Sequence, residues 1–196
     1  AVWRADLGGI QGVALFVDLD SVIVDDLTPF FEFGDPSDVI LARNWLKPFS
    51  KLGQTTLFRF KVGAQTYLLE DFQKDPQGIA ERFQFEQHYV TKSVRGGVRF
   101  WPNAWVKHYR VHCLPGYLGR YFRPAALPKG ARVIAFPGEP NPADALVGQW
   151  THGGPVSAKT HFLNLFYPER RVHKSWRGHL CCFQKPCPFV QLHWRE

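Results

Sequence analysis

The chain has no methionine among its 196 residues, not even at position 1. That predicts a fragment or a processed product whose original start is missing. Cysteine is also scarce. Cys113, Cys181, Cys182 and Cys187 are the only four. So few thiols in a chain of this length exclude a disulfide-stapled scaffold and make a reducing, cytoplasmic compartment the default expectation. No stretch approaches the ~20 consecutive apolar residues of a membrane-spanning helix, and no basic-then-apolar leader opens the chain. Peripheral contact with a membrane surface stays compatible with the composition. Acids are rare outside one region, because Asp18, Asp20, Asp25, Asp26, Glu32, Asp35 and Asp38 make up seven of the 17. The remainder is strongly basic, and the net charge is +7. Such a balance suits a polyanion, an anionic membrane or a phosphorylated substrate, and equally a plain soluble basic protein. No recognised nucleic-acid motif is present, so nucleic acid is not the expected partner.

At 45% hydrophobic residues, the chain can bury the core of one domain with an appendage. Its organising stretch is Val13 to Asp26. The apolar run Val13 to Val17 leads into Asp18, Leu19 and Asp20, and a second run, Val22 to Val24, follows. The first run reads as a strand buried on both faces. If the chain stays extended, alternation sets Asp18 and Asp20 on one side with Leu19 opposite. Two carboxylates so close repel, and a hard divalent cation relieves that repulsion while keeping coordination positions free for phosphate oxygens.

Further elements follow from pattern. A helical turn is predicted near 26–31, with Pro29 in its first turn. Strands are expected at 39–42, 55–60 and 131–136, with shorter ones at 98–101 and 105–111. Helices are expected at 65–72, from Ile79 to about Val94, and at 143–150. Residues 1–11 read as a lead-in loop. Residues 137–142 carry three prolines and form a rigid loop. From 151 to 196 the character changes to a basic, His- and Cys-rich extension. The division is therefore a core over 1–150 and an extension over 151–196. The extension's His173, His179, Cys181, Cys182, Cys187 and His193 are zinc-ligand types, although no Cys-x-x-Cys pair is present.

Two families resemble the organising stretch. In haloacid-dehalogenase-like phosphatases a strand also ends in Asp-x-Asp. By that resemblance Asp18 would be a nucleophile, and the region from Glu139 to Asp144 would supply the later acidic cluster. The longer resemblance, over roughly residues 10–150, is to GT-A-fold nucleotide-sugar glycosyltransferases of the glycogenin-like kind, in a bacterial branch. It rests on Leu15 to Phe31, Gly53 to Phe60, Phe85 to Tyr89, Trp101 to Val106 and Ala131 to Pro142. It implies an α/β, Rossmann-like mixed sheet with flanking helices, incomplete at its N-terminus. Asp18 and Asp20 would hold Mn²⁺ or Mg²⁺. Gln54, Thr55 and Thr56 would line the donor sugar pocket, and Glu86 and Gln87 would contact the transferring sugar. The donor would be a nucleotide sugar and the acceptor a saccharide, lipid or protein. Pro137 stands where that branch carries a histidine. The base-binding strands that precede the acidic pair in the family have no counterpart here, which also raises a non-catalytic remnant as an alternative.

Overall fold

The computed structural model of the chain describes residues 2–47, 49–150 and 155–194. Pro48, and residues 151–154 and 195–196 of the expected extension, lie outside the described residues. The order begins with β1 Val13–Val17, β2 Ser21–Ile23, α1 Thr28–Glu32, β3 Ile40–Arg43 and β4 Gly53–Lys61. It continues with α2 Thr66–Lys74, α3 Pro76–Arg82, α4 Glu86–Ser93, β5 Arg99–Phe100 and β6 Val106–His108. A π-helical turn Tyr109–Cys113 precedes α5 Gly119–Phe122, β7 Val133–Ala135 and α6 Pro142–Val147. Last come α7 Ala158–Asn164, a 3-10 turn Pro168–Arg170, α8 Trp176–Cys181 and α9 Pro188–His193. The architecture is mixed α/β, as expected from the sequence.

Two compact units result, one from residues 1–19 and 26–106, the other from residues 20–25 and 107–196. The expected boundary at residue 150 marks a change of composition, and the compact units divide elsewhere.

The first unit is built on a four-stranded sheet in the order β1-β4-β3-β5. β4 runs antiparallel to both β1 and β3, and β3 runs parallel to β5. β1 is thus an edge strand, half-buried along its length rather than buried on both faces. The strand buried on both faces is β4, from Thr56 to Phe60. Its Phe58 and Phe60 pack with Leu41, Leu68, Val90 and Trp3 in one core cluster. Trp3 stacks on Phe58 at 5.3 Å, so the lead-in is anchored by a buried aromatic. The helix expected from Ile79 to Val94 is two helices. Phe83 and Phe85 take extended conformations and break it. A new helix also starts at once after α2, because the Asp75 side chain accepts from Gly78 N at 2.9 Å and caps α3.

Arg59 is the most deeply buried charge in this unit, at 0% exposure. Its Nη1 donates to the carbonyls of Phe30 (3.2 Å), Phe31 (3.0 Å) and Phe33 (2.7 Å), and its Nη2 to that of Asp35. The orphan carbonyls at the end of α1 are thereby satisfied from β4.

The second unit holds a three-stranded sheet in the order β2-β7-β6, with β2 antiparallel to β7. Its core joins Val22 and Val24 to Tyr109, Ile134, Phe136, Cys187, Phe189 and Val190. Residues of the expected extension thus help close this core. The strands expected at 98–101 and 105–111 are shorter. The second stops at His108, where the chain coils into the π-helical turn. His161 and His179 lie buried and stacked at 4.0 Å. The Nδ1 of His179 accepts from Val172 N at 3.1 Å, and its Nε2 lies 2.8 Å from the His161 carbonyl. A carbonyl only accepts, so Nε2 is the donor in that bond.

Burial, with His179 beside it, pulls the pKa of His161 down to about 4. Burial, with Arg110 and His112, does the same to His108. Both are therefore neutral in the folded protein at pH 7. In the unfolded chain each takes a proton near pH 6.5. Their contribution to stability is complete above that value, declines as pH falls, and levels off near pH 4. Stability is expected to drop by roughly 1–3 kcal/mol per pH unit over this window. Urea midpoints at pH 7, 6 and 5 measure it. An unchanged midpoint would show that these rings charge freely in the fold.

Candidate functional site

β1 ends where the backbone of Asp18 donates to the Thr56 carbonyl at 2.8 Å. The chain then turns through Leu19 and Asp20. The extended alternation expected for the acidic pair therefore stops at Val17, and Leu19 is 96% exposed. The exposed Asp18 carboxylate accepts locally, from Leu19 N at 3.2 Å.

Opposite Asp18, β4 carries the expected polar triplet. Thr55 is half-buried and Thr56 is buried, while Gln54 is half-buried against Ala42 of β3. α4 is pinned to the start of β4. Gly53 N donates to Thr91 Oγ1 at 3.0 Å, and that hydroxyl donates to the Gln87 carbonyl at 2.6 Å. Gly53 suits this crowded position, because a Cβ there would lie 3.1 Å from Thr91 Oγ1 and would make Leu41 Cδ1 of β3, at 2.6 Å, move away. The pinning places the exposed Glu86 in the first turn of α4.

A pocket of about 320 Å³ results, lined by Asp18, Thr55 and Glu86 over the rings of Trp3, Phe16 and Phe58. Phe16 stacks on Phe58 at 4.9 Å. A largely apolar floor with a few placed polar groups is the usual make-up of a small-molecule site, and the volume falls within the ~300–1,000 Å³ range of such sites. Of the residues singled out from sequence, Asp18, Thr55 and Glu86 meet here. Gln54, Thr56 and Gln87 do not line this pocket. Asp20 belongs to the second unit, where its carbonyl accepts from Phe136 N at 2.9 Å. Sequence reading missed Trp3, Phe16 and Thr91. A tryptophan inside an otherwise unpatterned lead-in was the available signal for the first.

Among the described residues, no group of three or more His, Cys, Asp or Glu side chains is arranged to hold a metal ion. Within those described residues His173, His179, Cys181, Cys182, Cys187 and His193 form no such cluster, and both nitrogens of His179 are engaged. At the pocket, Asp18 presents a carboxylate with oxygen lone pairs to spare. That fits a hard divalent cation completing its shell with water and phosphate oxygens. The Asp144 carboxylate lies elsewhere, closing a capping box with Asn141 at the start of α6. Among the described residues, no helix is long and apolar enough to cross a membrane.

The architecture is mixed sheets flanked by helices, and it is the likeness to a solved structure that makes the fold GT-A-like. Among solved structures, the chain is similar to the galactosyltransferase LgtC in complex with donor and acceptor sugar analogues. The TM-score is 0.51 and the identity 12%, over 88% of this chain and 66% of that one. An active-site mutant of LgtC gives a TM-score of 0.47 and 11% identity, over 88% of this chain and 67% of that one. The chain thus spans just under two thirds of the length of the first. At this identity the likeness is one of fold. No family model and no curated protein matches the chain.

Proposed function

We propose that the protein transfers a sugar from a nucleotide-sugar donor in a metal-dependent reaction, as a member of the glycogenin-like bacterial branch. The observation that carries this reading is the convergence of Asp18, Thr55 and Glu86 on one pocket of about 320 Å³. The GT-A-like fold supports it.

In this reading Asp18 and, two residues on, Asp20 are the carboxylates that hold Mn²⁺ or Mg²⁺. The cation supplies neutralising charge to the diphosphate leaving group. Thr55 offers a hydroxyl to the donor sugar, with Gln54 and Thr56 beside it in sequence. Glu86, helped by Gln87, faces the transferring sugar, where its carboxylate either accepts the acceptor's proton or stabilises developing positive charge. The aromatic floor excludes water from the reacting face. The acceptor is a saccharide, lipid or protein, the setting is cytoplasmic, and residues 151–196 are a C-terminal extension to the transferase core.

Melting in the presence of Mn²⁺ and a panel of nucleotide sugars tests the reading. One donor is expected to raise the melting temperature, to do so only with the metal, and to be hydrolysed slowly. At a donor concentration 100 times its Kd, the gain is about 2.7 kcal/mol. No response to any donor would refute the transferase reading.

A further inference from the structure

A second cavity, of about 410 Å³, opens among α2, α3 and α4. Leu69, Phe72, Ile79 and Phe85 line it, and Glu86 is its sole acid. Tyr89 contributes its ring, since its hydroxyl donates to the Leu68 carbonyl at 2.7 Å. Two residues, Trp3 and Glu86, line both this cavity and the pocket that holds Asp18 and Thr55. Water in such a lining finds few partners. An alkyl or aryl group would gain contact with rings on several sides.

We propose that this cavity receives the apolar portion, alkyl or aryl, of a glycosylation acceptor, with the acceptor's hydroxyl end at Glu86. The inference rests on the transferase reading and narrows its acceptor to one carrying a hydrophobic group. In the transfer, the acceptor hydroxyl oxygen bonds to the anomeric carbon of the sugar. The bond from that carbon to the donor diphosphate breaks, and its electron pair leaves with the diphosphate. The hydroxyl proton passes to the Glu86 carboxylate. The cavity adds binding energy remote from the reacting atoms, which helps to orient the acceptor.

Isothermal titration with glucose and with propyl, butyl, pentyl and hexyl β-glucosides tests the cavity directly. Affinity is expected to rise roughly fourfold per added methylene until the cavity fills. Ala80→Glu and Phe72→Ala change exposed lining positions on helices, so the fold should persist, and a melt verifies it. Each is expected to weaken hexyl glucoside at least tenfold. Affinity independent of chain length would overturn the inference. So would a dimer in sedimentation that Ala80→Glu splits, because a second copy of the chain would then cover the cavity. Donor binding is read separately from the melt with Mn²⁺ and nucleotide sugars. A donor shift without chain-length dependence overturns this inference alone. Chain-length dependence with no donor shift overturns the transferase reading, and the acceptor assignment with it.

Discussion

On the proposed transferase reading, Asp18→Asn is expected to lower glycosyl transfer by roughly 10²–10³-fold while leaving the fold intact. The substitution keeps the shape of the side chain and the oxygen that accepts from Leu19 N. It removes one negative charge. Asp18 is exposed and caps no helix, so the structural cost should stay within about 0.5 kcal/mol. With Asp18 as the proposed metal ligand, the functional cost is larger because a hard cation discriminates sharply between a carboxylate and an amide. Glu86→Gln separates the two acidic roles. It should lower kcat and leave the metal-dependent donor shift in place, since the Glu86 carboxylate is assigned to the transferring sugar. Steady-state kinetics with Mn²⁺, set beside thermal melts, measure both. Near-normal turnover in Asp18→Asn would remove Asp18 from the metal site.

Arg59→Leu is expected to cost roughly 3–5 kcal/mol, a large share of the ~5–15 kcal/mol that holds a domain folded. The guanidinium serves the carbonyls of Phe30, Phe31, Phe33 and Asp35 from a fully buried position. Two effects oppose each other. Burying a cation is costly, and that burial lowers the pKa of Arg59, with Asp38 and Asp35 acting to raise it. Replacing a buried charge by an apolar residue can therefore be neutral where its partners go too. Here the partners are backbone carbonyls that stay behind. The Phe30 carbonyl is buried, and an unserved buried acceptor carries a penalty of ~1–3 kcal/mol. The loss of acceptors' partners outweighs the relief. Arg59→Lys keeps the charge but offers three donors from a single atom, so it should recover only part of the loss. Urea denaturation of the two variants provides the comparison. A midpoint for Arg59→Leu equal to that of the native protein would show that the carbonyls re-pair or reach water.

Strands announced themselves where apolar runs were unbroken. Ile40 to Ala42 was legible for that reason, while Leu57 to Phe60 and Ala131 to Phe136 around β7, each interrupted by an arginine, were legible from their β-branched, aromatic and other apolar residues. The same signal misjudged β1, because an apolar run does not distinguish an edge strand from a central one. Edge position depends on pairing with β4, far along the chain. Periodicity carried the reading straight through Phe83 and Phe85. Both side chains stay on the apolar side although the backbone there is extended. The acids were legible as chemistry but not as geometry. Asp18 and Thr55 come together through the pairing of β1 with β4, Glu86 joins them from α4, which Thr91 ties to Gly53, and no spacing rule relates these positions. Arg59 read as one more strand residue. Its carbonyl partners carry no side-chain signature at all.

The connectivity of the second unit has a bearing on biosynthesis. Residues 20–25 belong to it, yet residues 26–106, the larger part of the first unit, separate them from the remainder. Val22 leaves the ribosome long before its partner Ile134 exists. The nascent chain must carry β2 unpaired, with its backbone donors and acceptors exposed, until residues 133–135 are made. Non-local pairings of this kind form late, and until they do the waiting strand is open to intermolecular pairing. The acids on either side of it, Asp18, Asp20, Asp25 and Asp26, put like charge on every copy of the waiting segment. They would act as gatekeepers of the unfinished polypeptide before they have any work at a finished site.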